Sequence, residues 1–128
     1  MDSINFSHPW CGNSDHFKIH HQRFTTIRKH NPKKYVKGRS IGICYREKPV
    51  KICTIKNVDT CTLQSISGRT FISDTGYNKT ESLKIFSKMY NMSEAALCSI
   101  MFDVIYLETD CMLISESAKS VQLCLKFS

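Results

Sequence analysis

Six cations stand within residues 28–39, at Arg28, Lys29, Lys33, Lys34, Lys37 and Arg39, around an Asn31-Pro32 breaker and Gly38. Arg and Lys at this density suit one kind of chemistry, the neutralisation of phosphate, because each cation beside a phosphodiester releases a condensed counterion. The asymmetry reaches further along the chain. From Phe17 to Lys56 twelve Lys and Arg residues face one acid, Glu47, whereas the rest of the chain holds 6 basic and 10 acidic residues, so the net charge of +7 is local. Solvated side chains would also carry charge, yet a surface rarely needs so lopsided a sign ratio. Aromatic residues interleave with the cations. Phe24, Tyr35, Tyr45 and Tyr77 are candidates for stacking on an unpaired base, worth about 1–3 kcal/mol per base. Phe24 reads as core, while Tyr35 and Tyr77 sit beside turns and are expected to be exposed.

A second group of chemistry-bearing residues crowds the N-terminus: His8, Cys11, His16, His20 and His21. His16 and His20 at i, i+4 would share a helix face, as in some zinc sites, but a third ligand would have to be Cys11 or His8 with no recognisable finger spacing. No metal or other cofactor is expected, and these are read as surface histidines near a basic cleft. The seven cysteines are odd in number and form no CxxC pair, and several fall in apolar runs such as IGICY and VKICTI. Free, buried thiols in a reducing compartment follow. No apolar run approaches the ~18 residues of a membrane span, and MDSINFSHPW lacks the basic and apolar regions of a signal peptide. The expectation is a cytoplasmic protein with no membrane partner.

These residues must be positioned by a single domain, since 128 residues suffice for one core and fall short of two. The pattern gives a short strand at 3–7, a short helix at 14–22 capped by Ser14 or Asp15, and a β-rich run at 24–28. An alternating strand at 40–45 is joined by Glu47-Lys48-Pro49 to an antiparallel strand at 50–58. In the latter, Lys51, Cys53 and Ile55 face one way and Val50, Ile52, Thr54 and Lys56 the other, as in a sheet covered on both faces. Gly68 marks a turn before 70–73, and Asp74-Thr75-Gly76 marks another. The clearest helix covers 79–91: Leu83, Phe86 and Tyr90 recur at helical spacing, and Asn78 with Glu81 approximates a capping box. A central strand is expected at 99–107, with further strands at 112–115 and 121–127 forming a C-terminal extension (109–128) beyond a core at about 17–108. The fold class is α+β: a small barrel of about five to seven strands with one amphipathic helix and a short N-terminal helix.

This order of elements resembles an ASCH domain, a module of the PUA-like β-barrel superfamily. The resemblance is carried by TTIR at 25–28 followed by a basic loop, YVKGRSIGI at 35–43, KICTIKNV at 51–58 and DTGYNKTESLKIFSKMY at 74–90, with CSIMFDVIYLE at 98–108 as the closing strand. It covers about two thirds of the chain. The family signature Gly-x-Lys-x-x-x-x-Arg, laid with its Arg on Arg28, puts His21 at the Gly and Arg23 at the Lys.

The resemblance implies binding of RNA or a modified nucleotide in a cleft rimmed by Arg23, Arg28, Lys29, Lys33, Lys34, Lys37 and Arg39, with Tyr35 and Tyr77 as stacking partners. It also implies an alternative, hydrolysis of an N4-acetylcytidine-type nucleoside, in which Arg23, Thr26 and Asp74 would stand at the positions of the family's Lys, Thr and acid. Arg at position 23 departs from that chemistry, because a guanidinium stays protonated and cannot serve as a base. Lys18, His20 or His21 would have to substitute. A ribonuclease using His20, His21, Arg23 and Arg28 is a further alternative, and an inhibitory protein docking its positive face on an acidic protein or nucleoprotein partner is another.

Overall fold

The computed structural model describes residues 1–7 and 18–113. Within them lie strands β1 (Ser3–Phe6), β2 (Arg23–Lys29), β3 (Ser40–Tyr45), β4 (Lys48–Thr62) and β5 (Met101–Met112), and helices α1 (Gly68–Thr75), α2 (Lys79–Tyr90) and α3 (Glu94–Leu97). The strands form one curled sheet in the order β1-β3-β4-β5-β2, a half-barrel, with β1 parallel to β3 and every other pair antiparallel. Curling brings the two edge strands within side-chain reach: Phe6 of β1 and Phe24 of β2 meet with ring centroids 6.3 Å apart. The enclosed face buries Ile4, Phe6, Phe24, Ile41, Ile43, Cys53, Ile55, Ile105 and Leu107, alternate residues of five strands, as the two-residue period requires.

The hairpin between β3 and β4 turns on Arg46 and Glu47, whose φ values of 48° and 69° are those of the turn type that matches strand twist. Strand β4 therefore starts earlier than the Pro49 signal suggests. Pro49 is tolerated because β5 ends opposite Lys51, so at position 49 only β3 lies alongside. The strand also runs on to Thr62, and β5 to Met112, beyond the expected 58 and 107. The polar Glu108-Thr109-Asp110 reads locally as a turn, but β4 takes it up as a strand through register shifts at Ile52/Cys53 and Ile55/Asn57.

Helix α1 corrects the reading of 70–73 as a segment between two turns, and with α3 it adds helices beyond the expected amphipathic and short N-terminal ones. The β-branched Thr70 and Ile72 disfavour helix locally. Ser67 accepts from the Thr70 N–H at 3.1 Å, Phe71 is buried against Phe86, and Gly76 closes the helix at φ 82°. Capping and burial outweigh propensity here. Helix α2 is as expected, with the Asn78 side chain accepting from the Glu81 N–H at 2.8 Å and Asn91 in the left-handed region as its C-cap. Tyr90 packs it edge-on against Phe102 of the sheet, with Phe86 against Tyr90.

Of the expected 14–22 helix, the described part is a 3₁₀ turn at Lys18–His20 followed by a bend at His21 and Gln22. Residues 14–17 lie outside the described residues. So do 114–115 and the expected strand at 121–127; Met112 ends β5 instead of opening a further strand. Cys44, Cys53, Cys61, Cys98 and Cys111 are free thiols, with Cys53 fully buried. No helix among the described residues is long and apolar enough to cross a membrane.

Candidate functional site

Strand β2 organises the site, because its alternate side chains serve two different environments. Phe24, Thr26 and Arg28 turn toward the enclosed face, where the Arg28 guanidinium lies 4.7 Å from the Phe6 ring centre and its Nε donates to Thr26 Oγ1 at 3.1 Å. Thr26 is buried, and the gap it borders with Phe86, Met89 and Tyr90 holds about 10 Å³, room for one water. Arg23 and Thr25 belong to the opposite face. With Tyr106 and Glu108 of β5, Lys56 of β4, Ser73 of α1 and the preceding Lys18 and His21, they line a hollow of about 440 Å³.

The charges in this hollow form two layers. At the mouth, Glu108 holds two cations, one on each oxygen: Arg23 Nε at 3.3 Å from Oε1 and Lys56 Nζ at 3.4 Å from Oε2. The Lys56 contact, aided by Arg23, keeps the Glu108 carboxyl below its ordinary range despite partial burial. Beneath, Lys18 and Asp74, each 2% exposed, pair at 3.2 Å, and Thr25 donates its hydroxyl to the same Asp74 oxygen at 2.6 Å. Tyr106 keeps its phenol proton above the usual range, chiefly through burial and then through the Asp59 carboxylate to which it is hydrogen-bonded. Its ring is thus held in the wall.

A second buried lysine fixes the rim. Lys51, 1% exposed, donates to the His21 carbonyl at 2.9 Å and to Thr109 Oγ1 at 2.8 Å, with its ammonium 4.6 Å from the Phe24 ring centre. Gln22 and Thr109 bond reciprocally at the backbone and through the Gln22 amide, so residues 18–22 are clamped to the end of β5. Burial lowers the Lys51 pKa and pushes the neighbouring Cys53 thiol from 9.0 up to about 11. Between those two thiol values the unfolded chain holds fewer protons than the fold, so the Cys53 contribution, complete below pH 9, is lost as pH rises, by on the order of 2 kcal/mol. Lys51 opposes it, gaining stability as pH rises toward the ordinary lysine value. We expect urea denaturation of Cys53→Ala to show a fixed loss at pH 8 and a shallower decline from pH 9 to 11 than the unaltered protein; parallel curves would refute this.

The basic loop lies elsewhere. It leaves the far end of β2, six residues or about 20 Å from Arg23. Asp103, buried in β5, anchors it by accepting from the Asn31 N–H at 3.0 Å and from Thr60 Oγ1 at 2.6 Å, and by bonding His30 Nδ1 at 2.8 Å. Gly38, at φ 88°, donates to the Ile55 carbonyl at 2.7 Å and returns the chain to the sheet. Lys29 lies over Tyr90 and Lys34 over Tyr35, while Arg39 bonds the Lys33 carbonyl.

One cleft holding every cation is therefore replaced by two basic regions. Arg23 is in the hollow with Lys56; Lys29, Lys33, Lys34, Tyr35, Lys37 and Arg39 share the loop; Arg28 is turned inward; Tyr77, 38% exposed, follows α1. Asp74 lies beneath the hollow, joined to Lys18 and Thr25 in place of Arg23 and Thr26. Sequence reasoning missed Thr25, Lys56, Tyr106 and Glu108, and named Lys18 only as a substitute. The alternation of β2 held the signal for Thr25, but nothing local pairs Arg23 with Glu108. Among the described residues no group of three or more His, Cys, Asp or Glu could hold a metal ion; His8, Cys11 and His16 lie outside them. No protein-family model, curated protein or solved structure matches this chain.

Proposed function

We propose that this chain is a binding module for single-stranded RNA or a modified nucleotide, on a PUA-like barrel of the ASCH kind, without required chemistry. The carrying observation is the arrangement along β2: a hollow of about 440 Å³ with exposed Arg23 and Lys56 at one end and a rigidly anchored basic loop at the other. A volume of this size suits one nucleoside, and the loop offers phosphate contacts that are indifferent to sequence. The curled sheet and the helix capped at Asn78 support the barrel reading. Hydrolysis is the weaker reading. Lys18, Thr25 and Asp74 do form a hydrogen-bonded set, but an ammonium paired with a carboxylate has no lone pair to take the Thr25 proton.

The test is binding of a labelled single-stranded RNA over a series of salt concentrations. Lys33→Ala with Lys37→Ala should flatten the slope of log affinity against log salt by about 1.4, two phosphate contacts on a single strand. Unlabelled RNA should displace the probe far better than heparin at equal charge. An unchanged slope, or heparin competing equally, would favour an acidic protein surface as the partner and overturn the reading.

A further inference from the structure

The hollow contains a hydrogen-bonding pattern more specific than its charge. Glu108 is 26% exposed at the mouth and presents two oxygens, each engaged by one cation. An ionised carboxylate is acceptor-only and has about four lone-pair directions, so two remain. Arg23, 79% exposed, engages Glu108 through Nε, and a guanidinium carries five N–H groups. The mouth of the hollow therefore reads, in order, donor, acceptor, acceptor, with Lys56 as a further donor beyond the second oxygen. Tyr106 stands two residues before Glu108 on the same face of β5 and lines the same hollow, offering a ring on which a planar ligand can lie.

Resting on the RNA-binding reading, we infer that the hollow selects a guanine base, with Glu108 accepting from N1–H and the N2 amino group and Arg23 donating to O6. Guanine alone presents acceptor, donor, donor in that order along its pairing edge. Adenine and cytosine place a ring nitrogen acceptor against the carboxylate beside their amino group. Uracil offers one N–H flanked by two carbonyl oxygens, of which one would face the second Glu108 oxygen. Each of these mismatches sets two acceptors against one another, and a lone-pair clash cannot be relieved by moving a proton while Glu108 stays ionised. The remaining N–H groups of Arg23 and Lys56 are left for the flanking phosphates.

The experiment uses the full chain and labelled uridine heptamers whose central residue is guanosine, adenosine, cytidine or inosine. The guanosine heptamer should bind at least about tenfold tighter than the adenosine and cytidine ones. Inosine, which keeps O6 and N1–H but lacks the N2 amino group, should fall between. Glu108→Gln offers one acceptor and one donor in place of two acceptors, and should bring guanosine and adenosine within about twofold while the salt slope persists. The inosine comparison is made on the unaltered protein, so it decides the matter even if the variant misfolds. Guanosine monophosphate should compete more weakly than the heptamer; equal affinity would keep the guanine site and remove the strand as its source. Equal binding of all four heptamers with a steep salt slope would end the guanine assignment and leave the RNA reading standing. No binding of any heptamer would end both.

Discussion

Replacing Asp74 with alanine should cost about 3–5 kcal/mol of folding free energy, the range for removing one partner of a buried ion pair. The change removes an acceptor from Lys18 and from Thr25. Lys18, 2% exposed, loses the carboxylate at 3.2 Å, and Thr25 loses the acceptor at 2.6 Å. Helix propensity works the other way. Asp74 sits in the last turn of α1, where a negative charge meets the negative end of the helix dipole, and alanine is the better helix former. Those gains amount to about 1 kcal/mol, too little to offset the loss of the carboxylate beside a buried ammonium. With whole-domain stabilities of about 5–15 kcal/mol, the variant should unfold at a markedly lower urea midpoint. Asp74→Leu combined with Lys18→Met should recover much of the loss, because two apolar side chains leave no charge in the interior. A loss below about 1 kcal/mol for Asp74→Ala would show that Lys18 reaches water and that the floor of the hollow is not dry.

The second large effect concerns Asp103, and it separates holding the basic loop from supplying its charge. Asp103→Ala strips the acceptor from the Asn31 N–H and from Thr60 Oγ1, and removes the carboxylate that orients His30. Each buried donor left without a partner costs about 1–3 kcal/mol, so a total near 3 kcal/mol is expected by urea denaturation. Every cation of the loop remains, but the segment from His30 to Arg39 loses its side-chain tie to β5, keeping the His30 N–H bond to the Met101 carbonyl at one end and the Gly38 and Arg39 bonds to Ile55 at the other. RNA affinity should fall about tenfold, since loop ordering is then charged against binding, while the salt slope stays as it was. The Lys33 and Lys37 substitutions should do the reverse, changing the slope itself. Hydrogen exchange at the Asn31 amide gives a structural readout: it should speed up in Asp103→Ala and not in the lysine variant. If both variants altered the slope equally, the loop would be acting through local charge alone and its anchoring would be irrelevant to binding.

What the sequence determined by itself was whatever neighbours within a few residues can enforce. Helix α2 was legible because Asn78, Glu81, Phe86 and Tyr90 supply cap and stripe at short range. The β3–β4 pairing was legible from alternation, including the shared face of Lys51, Cys53 and Ile55, though the structure alone shows that face to be the buried one, and the free state of the described cysteines followed from their odd number and spacing. The charge asymmetry is a property of composition and needed no fold.

The tertiary structure alone decided which side chains share a site. Arg23 meets Glu108 across 85 positions, and Lys18 meets Asp74 across a helix that local propensity opposed. Register places these pairs, and its period of two is unforgiving: a shift of one residue exchanges the hollow for the enclosed face. That step separates Thr25, which lines the hollow, from Thr26, which is buried beneath Arg28. It likewise turns Arg28 inward while Arg23, five positions earlier, faces the hollow. The length of β2 then carries the remaining cations about 20 Å away, because residues close in sequence are held apart when the chain between them is an extended strand.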